Sequence, residues 1–228
     1  MTASSSTNTI AEHVAAITAQ LPASVRLIGV SKKQPASAIR TAYQAHLRDF
    51  GESMVQEAIA KQEELTDLED ITWHLIGHLQ SNKARKAVEH FDWIHSIDSL
   101  KIATRVNRLA GEVGRSPICC LQVKIVPDSA KFGFSMDQLW SALPQLNQLQ
   151  HLKIVGLMTI PPLESSMAEV ENIFQQAKTL AAQINERGFD QLHLSELSMG
   201  MSSDYSVAIT AGSTMIRLGT TLFGDRPA

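Results

Sequence analysis

The feature that most constrains this chain is a rhythm. Eight short runs rich in apolar and β-branched residues each give way to a longer, more amphipathic stretch. The runs fall at 25–31, 47–51, 72–77, 92–97, 118–125, 154–160, 191–198 and 215–219, with a first helix expected at about 10–20 and the longest at about 167–186. Strands spaced ~20–35 residues apart and joined by helices argue for parallel βαβ units, because a parallel neighbour requires a crossover and a helix is its usual form. Eight such units in 228 residues predict one (β/α)8 TIM barrel, a single domain over 1–228 with 1–9 as a flexible, Ser/Thr-rich tail. An open doubly wound sheet shares the alternation, since periodicity does not say whether the sheet closes. The dinucleotide fingerprint is missing, however: Gly29 is followed by Val30-Ser31-Lys32 rather than by spaced glycines.

Composition excludes several functions. The formal net charge of −3 argues against a nucleic-acid or anionic-membrane binder, which needs a basic face. No apolar run approaches the ~20 residues of a membrane span, and the polar N-terminus lacks the pattern of a secretory signal. Cys119 and Cys120 are adjacent in an apolar run, so their side chains point to opposite faces of a strand and do not bridge. They are expected as buried strand cysteines in a reducing, cytoplasmic compartment.

Barrel chemistry belongs at the C-terminal strand ends. The first run ends in Ser31-Lys32-Lys33. A lysine emerging from an apolar run can be desolvated into a nucleophilic amine; the plainer reading is a pair of solvated lysines. The far end of the chain shifts the balance. The seventh run leads into Leu197-Ser198-Met199-Gly200-Met201-Ser202-Ser203-Asp204 and the eighth into Arg217-Leu218-Gly219-Thr220. Loops after the last two barrel strands commonly bind phosphate, and small residues with hydroxyls suit a dianion. Ser198, Met199, Gly219 and Thr220 are the candidates; helix capping by the serines and Asp204 is the structural alternative. Arg217 lies inside an apolar run, where an unpaired charge is costly. It is read either as a donor to a pyridine nitrogen or as half of a barrel-mouth salt bridge. His74, His78 and His95 invite a metal reading, but neither tight spacing nor an acidic partner gathers three or four ligands, and no metal is expected. Glu52, Glu57 and Asp98 are expected in loop and helix-surface roles. Lys83, Arg85 and Lys86 are expected as a solvated helix face.

At these residues the chain strongly resembles the pyridoxal phosphate homeostasis protein family (YggS/PROSC-type proteins binding pyridoxal 5′-phosphate, PLP). The resemblance runs in order through Val30-Ser31-Lys32, Phe50-Gly51-Glu52, Trp73-His74-Leu75-Ile76-Gly77-His78-Leu79-Gln80-Ser81-Asn82-Lys83, Lys131-Phe132-Gly133-Phe134, Gly156-Leu157-Met158-Thr159-Ile160 and the two loops above. It implies an alanine-racemase-like barrel, PLP fold type III. Lys32 corresponds to the Schiff-base lysine and Arg217 to the arginine facing the pyridine nitrogen. Ser198, Met199, Gly219 and Thr220 correspond to the phosphate cradle, and Met158 and His74 to residues lining the pocket around the ring. The sequence departs from the family where Ser53-Met54 replaces a common Asn-Tyr, where Lys124 replaces an asparagine and where Lys33 replaces a threonine.

The resemblance further implies a role in homeostasis of PLP and of amino and keto acids, without substantial turnover. Protein partners on this reading are PLP-dependent apoenzymes or B6-salvage enzymes. The enzyme rival is a PLP-dependent amino-acid racemase, which needs a second base opposite the lysine. In racemases of this fold a second β-domain and the partner subunit supply a tyrosine. This chain has two tyrosines, Tyr43 and Tyr205, and ends soon after the last loop, so a carrier or regulator is expected rather than an enzyme. A monomer is expected too, because the racemase dimer relies on that second domain. A third reading, a barrel enzyme acting on a phosphorylated metabolite without PLP, explains the phosphate loops but not Lys32 and Arg217.

Overall fold

The computed structural model describes residues 3–224, with side chains from Thr9 onward; Met1, Thr2 and 225–228, the end of the chain invoked against a second domain, lie outside the described residues. The elements in chain order are α1 (Ala3–Gln20), β1 (Arg26–Val30), α2 (Ala36–Gln44), β2 (Asp49–Glu52), α3 (Val55–Glu64), β3 (Thr72–Leu75), a 3-10 turn (Ser81–Lys83), α4 (Ala84–His90), β4 (Trp93–Ile97), α5 (Leu100–Val113), β5 (Ile118–Lys124), β6 (Phe134–Ser135), α6 (Met136–Leu146), β7 (Lys153–Met158), α7 (Met167–Asn185), β8 (Leu192–Ser198), α8 (Tyr205–Thr210), β9 (Met215–Leu218) and α9 (Thr220–Phe223). The strands pair in parallel in the order β4-β3-β2-β1-β9-β8-β7-β5, and β4 also pairs with β5. That last pairing closes the sheet. It decides for a TIM barrel over the open alternative, on a contact between strands that periodicity does not register. The two-residue β6 only extends the edge of β5 and is no barrel stave.

Local sequence explains where the longer helices begin and end. Ser99 Oγ accepts the Ile102 N–H at the start of α5, and Gly114 ends that helix in the left-handed conformation (φ 74°). Reciprocal capping boxes, Ser135 with Gln138 and Ser166 with Glu169, open α6 and α7. At the N-terminus the helix starts at Ala3 rather than near Ile10, so backbone expected as a flexible tail is helical. Once the segment carrying buried Ile10 and Val14 is nucleated, adding residues costs little even for a Ser/Thr-rich stretch.

Strand alternation divides the core in two. One layer lies between the barrel wall and the helices and includes Cys119, Leu157, Ile216 and Leu218; the barrel interior packs Ile28, Trp93, Cys120, Met158 and Met215. The adjacent cysteines thus face opposite sides of β5, both buried, and burial raises both thiols. At the N-terminal mouth, Arg26 stands over the Trp93 ring, 5.1 Å from its centroid, and 3.5 Å from Asp49. Among the described residues no helix is long and apolar enough to cross a membrane.

Candidate functional site

A cavity of about 560 Å³ opens among the loops at the C-terminal ends of the strands, within the range of small-molecule sites. Lys32 enters it from the loop after β1, Arg217 from β9, and Gly219 and Thr220 from the turn into α9. Ser53, Gly77, His78, Gln122, Lys131 and Phe132 complete much of the wall, with Met201, Ser202 and Ser203 from the loop after β8. Its described charged lining is Lys32, Lys131 and Arg217, with no carboxylate. In a chain of net charge −3 this local positive field suits an anion.

A buried network presents Lys32. The Ser31 N–H donates to the Gly51 carbonyl (3.1 Å), continuing the β1–β2 ladder, and Ser31 Oγ donates to Glu52 Oε1 (2.7 Å). Lys61 reaches up from α3. Its ammonium donates to the Ser31 carbonyl (2.7 Å), Glu52 Oε1 (2.7 Å) and Glu57 Oε1 (2.8 Å). The next turn residue, Lys33, takes a left-handed conformation (φ 61°) and donates its N–H to Glu57 (2.5 Å). That reversal separates the two lysines: Lys32 is half-buried on the cavity wall, whereas Lys33 is exposed and off it. Glu52 was expected at a loop or helix surface. It is instead fully buried, and burial raises its carboxyl despite Lys61. Asp98 is also buried, accepting from His78 Nδ1 (2.8 Å).

Arg217 is nine-tenths buried or more, and none of the described carboxylates lies within ion-pair distance of it, so the salt-bridge alternative fails. NH1 donates to Ser198 Oγ (2.7 Å) and NH2 to the Thr159 carbonyl (3.3 Å). Burial lowers its pKa to about 10, which leaves it cationic at neutral pH. Ser198 and Met199 are not on the cavity wall: β8 runs on to Ser198, which is fully buried, and the Met199 N–H is spent on the Met215 carbonyl (3.1 Å). The loop after β8 reaches the cavity a few residues later, at Met201–Ser203. Asp204 shapes that loop by accepting the Met201 N–H (2.6 Å), rather than by capping α8.

His74 and Met158 are likewise absent from the lining. Met158 packs in the interior layer, and His74 lies deeper in the barrel, where its Nε2 meets Asp49 (2.9 Å) and its Nδ1 meets His95 (2.9 Å). The family resemblance implied both as pocket residues; their depth along the strands is set by barrel register. His78 is remote from this pair. Its ring stacks on Phe132, centroids 3.5 Å apart, so that the loops after β3 and β5 meet beside the cavity. No group of three or more His, Cys, Asp or Glu suited to a metal exists among the described residues.

Several wall residues went unassigned in the sequence: Gln122, Lys131, Phe132, Ser202 and Ser203. Their position in the loops that follow β5 and β8 was a usable signal for all but Gln122, which lies within β5 and donates to the Phe132 carbonyl (3.0 Å). Lys131 is held by the Ile160 and Pro161 carbonyls, and burial lowers its pKa. Lys124 instead donates to the Asp128 carbonyl (3.2 Å), away from the wall. Arg85 and Lys86 are exposed, as expected for a solvated face, and Arg85 pairs with Glu112, whereas Lys83 in the 3-10 turn is half-buried.

Comparison with known proteins fits this geometry. The alanine racemase N-terminal domain family model matches residues 6–227. The pyridoxal phosphate homeostasis protein of Synechocystis is 52% identical over 92% of this chain and 95% of that protein. Its Pseudomonas aeruginosa counterpart is 42% identical, with 96% of each chain covered. Among solved structures, Synechococcus elongatus PipY with PLP bound superposes with a TM-score of 0.91 at 60% identity, covering 94% of this chain and all of that one. A Clostridium difficile alanine racemase shares the fold alone, with a TM-score of 0.78 at 14% identity. By both sequence and fold, the chain belongs to the pyridoxal phosphate homeostasis protein family.

Proposed function

We propose that this protein binds PLP in the cavity at the C-terminal mouth of its barrel, held as a Schiff base on Lys32. On this reading it acts in homeostasis of PLP, and of the amino and keto acids that depend on it, as a carrier or regulator rather than an enzyme. The observation that carries the reading is the shared cavity of Lys32 and Arg217 with no lining carboxylate. The donor set fits the group: an amine for the aldehyde, a buried guanidinium for the ring nitrogen, and small hydroxyl residues for the phosphate.

When bound, PLP supplies an aldehyde carbon that the Lys32 amine attacks, with release of one water. Lys61, Glu52 and Ser31 hold the turn beneath Lys32, so the amine projects into the cavity. Arg217 can only donate. Facing the ring nitrogen, it leaves that nitrogen unprotonated and the ring a weak electron sink, which opposes turnover. Ser202, Ser203, Gly219 and Thr220 form the phosphate end, replacing the Ser198–Met199 part of the expected cradle.

The carrier reading draws support from the tyrosines. Tyr43 donates to Asp70, and Tyr205 packs on the outer core; neither lines the cavity. The whole chain is proposed as one PLP-binding barrel, monomeric and cytoplasmic, with PLP-dependent apoenzymes or B6-salvage enzymes as partners.

The test is direct. PLP-treated protein is scanned for an imine absorbance band, reduced with borohydride and digested, and the labelled peptide is identified by mass spectrometry. The label is expected on Lys32, and Lys32→Ala is expected to abolish the band while the fold persists. A colourless wild-type protein, or a label on Lys33 or Lys124, overturns the assignment. Racemisation of amino acids at enzymatic rates overturns the carrier role.

A further inference from the structure

A line of hydrogen-bonded polar side chains runs through the interior of this barrel. Starting from the cavity, Arg217 NH1 meets Ser198 Oγ at 2.7 Å, and Ser198 Oγ meets His95 Nδ1 at 2.8 Å. His95 Nε2 then meets His74 Nδ1 at 2.9 Å, and His74 Nε2 meets Asp49 Oδ1 at 2.9 Å. Ser198, His95 and His74 are fully buried. Asp49 opens β2 at the opposite mouth, and its side chain keeps 21% exposure. The four bonds therefore run from one end of the barrel to the other.

With both imidazoles neutral, the carboxylate end fixes the direction of every bond. Asp49 only accepts, so His74 donates from Nε2 and accepts at Nδ1 from the His95 Nε2–H; His95 Nδ1 then accepts from Ser198 Oγ, which itself accepts from the Arg217 guanidinium. Both imidazoles are then Nε2–H tautomers. Burial lowers both pKa values, that of His95 further because His74 and Arg217 lie nearby, in keeping with neutral rings.

Stability alone does not call for such a line. Apolar side chains of similar volume fill buried sites as well as polar networks do, and often better. Arg217, moreover, has no ion-pair partner among the described residues; Asp204 acts on it only through space, and its hydrogen-bonded link to a carboxylate is this chain of bonds. With NH1 on Ser198 and NH2 on Thr159, the guanidinium plane is fixed where Arg217 lines the cavity.

We propose that Asp49, His74, His95 and Ser198 are positioning residues for Arg217: a through-barrel relay by which a carboxylate at the far mouth sets the orientation and donor strength of the arginine facing the bound ring. The proposal rests on the PLP reading above, and its experiment separates the two. It predicts that a substitution at Asp49, remote from the cavity, changes how PLP is held.

Two readouts test it. In the PLP-free protein, 15N spectra of the imidazoles should show His74 and His95 each as the Nε2–H tautomer. Asp49→Ala should release His74 into a tautomer mixture. In the PLP-treated protein, the absorbance band, its pH midpoint and the PLP affinity are compared for wild type, Asp49→Ala, Asp49→Asn and His95→Gln. Asp49→Ala is expected to shift the midpoint and weaken PLP by about three- to tenfold, the net worth of one ordinary hydrogen bond. Asp49→Asn keeps an acceptor without the charge and should fall between. Asp70→Asn makes the same charge change on an exposed carboxylate off the line and should match wild type. Melting temperatures show whether any shift merely follows lost stability, and Asp49, being partly exposed, is the variant expected to fold. If the band forms normally but neither its midpoint nor the affinity responds to Asp49→Ala and His95→Gln, the relay is refuted. Other tautomers in the PLP-free protein refute it as well. Absence of any band in wild type instead refutes the PLP reading, while the tautomer spectra still report whether the line of bonds exists.

Discussion

Lys61→Met should be among the most destabilising single substitutions in this chain, for a reason that can be worked through. The ammonium makes three bonds of 2.7–2.8 Å, to Glu52, Glu57 and the Ser31 carbonyl. Glu52 is fully buried, and its second oxygen already has no partner. Methionine matches the lysine stem, so packing is largely kept and the loss is electrostatic. Removing one partner of a buried pair costs about 3–5 kcal/mol, because the other charge is left uncompensated. For a chain of this size each 1 kcal/mol moves the melting temperature by about 2–4 °C, so a fall of roughly 6–20 °C is expected. The penalty should depend on pH. Burial already raises the Glu52 carboxyl, so the folded state binds its proton more readily than the unfolded chain. Stability from such a group is complete below the unfolded value of about 4.3 and is lost as pH rises through the folded value. Without Lys61 the folded value climbs further. The cost of Lys61→Met should therefore be smaller at pH 5 than at pH 8. Urea unfolding across that range measures it. Glu52→Gln added to Lys61→Met should recover most of the loss, because the buried charge is gone. A loss under about 1 kcal/mol at pH 8, or a double variant no more stable than the single one, would refute a buried ionic clamp beneath Lys32.

Three further outcomes are expected. A Cβ on Gly77 would lie 2.2 Å from the Ser53 carbonyl oxygen, so Gly77→Ala should push apart two loops of the cavity wall; a cost of about 1–3 kcal/mol in urea, with weaker PLP binding by titration, is predicted, and wild-type values for both would contradict the contact. Cys119 and Cys120 should resist a thiol reagent at pH 8 in native protein and both react in denaturant, since burial raises each thiol; rapid native labelling would show the barrel wall to be open. His74 and His95 are both lowered by burial, so below about pH 6.5 the unfolded chain takes protons that the folded one refuses, and stability present above that pH is lost as pH falls. Unfolding free energy measured between pH 7.5 and 5.5 should drop with a slope of at most ~2.7 kcal/mol per pH unit, two groups at 1.36 each; a flat profile would mean that the pair is not buried neutral.

The sequence by itself determined the parallel strand–helix rhythm, the likeness of its motifs to a PLP-binding family, and the elements that bring Lys32, Arg217, Gly219 and Thr220 to one end of the molecule. Those are consequences of local pattern, because a strand end followed by a small or charged residue is visible without knowing its neighbours. Tertiary structure decided the rest. Closure came from β4 meeting β5, a pairing between strands that the pattern leaves unordered. Depth came from register. Ser198 and Met199 sit below the cavity while Ser202 and Ser203 reach it, and His74 and Met158 fall inside the barrel, because how far a residue stands from the mouth depends on the stagger of eight strands together. Charge came from partners far apart in sequence. Glu52 has the composition of a surface residue, and only Lys61 and Ser31, folded against it, make its burial tolerable. The choice between adjacent lysines shows both levels at work. The motif likeness singled out Lys32, and a left-handed turn at Lys33, tied to Glu57 on another element, supplies the physical reason.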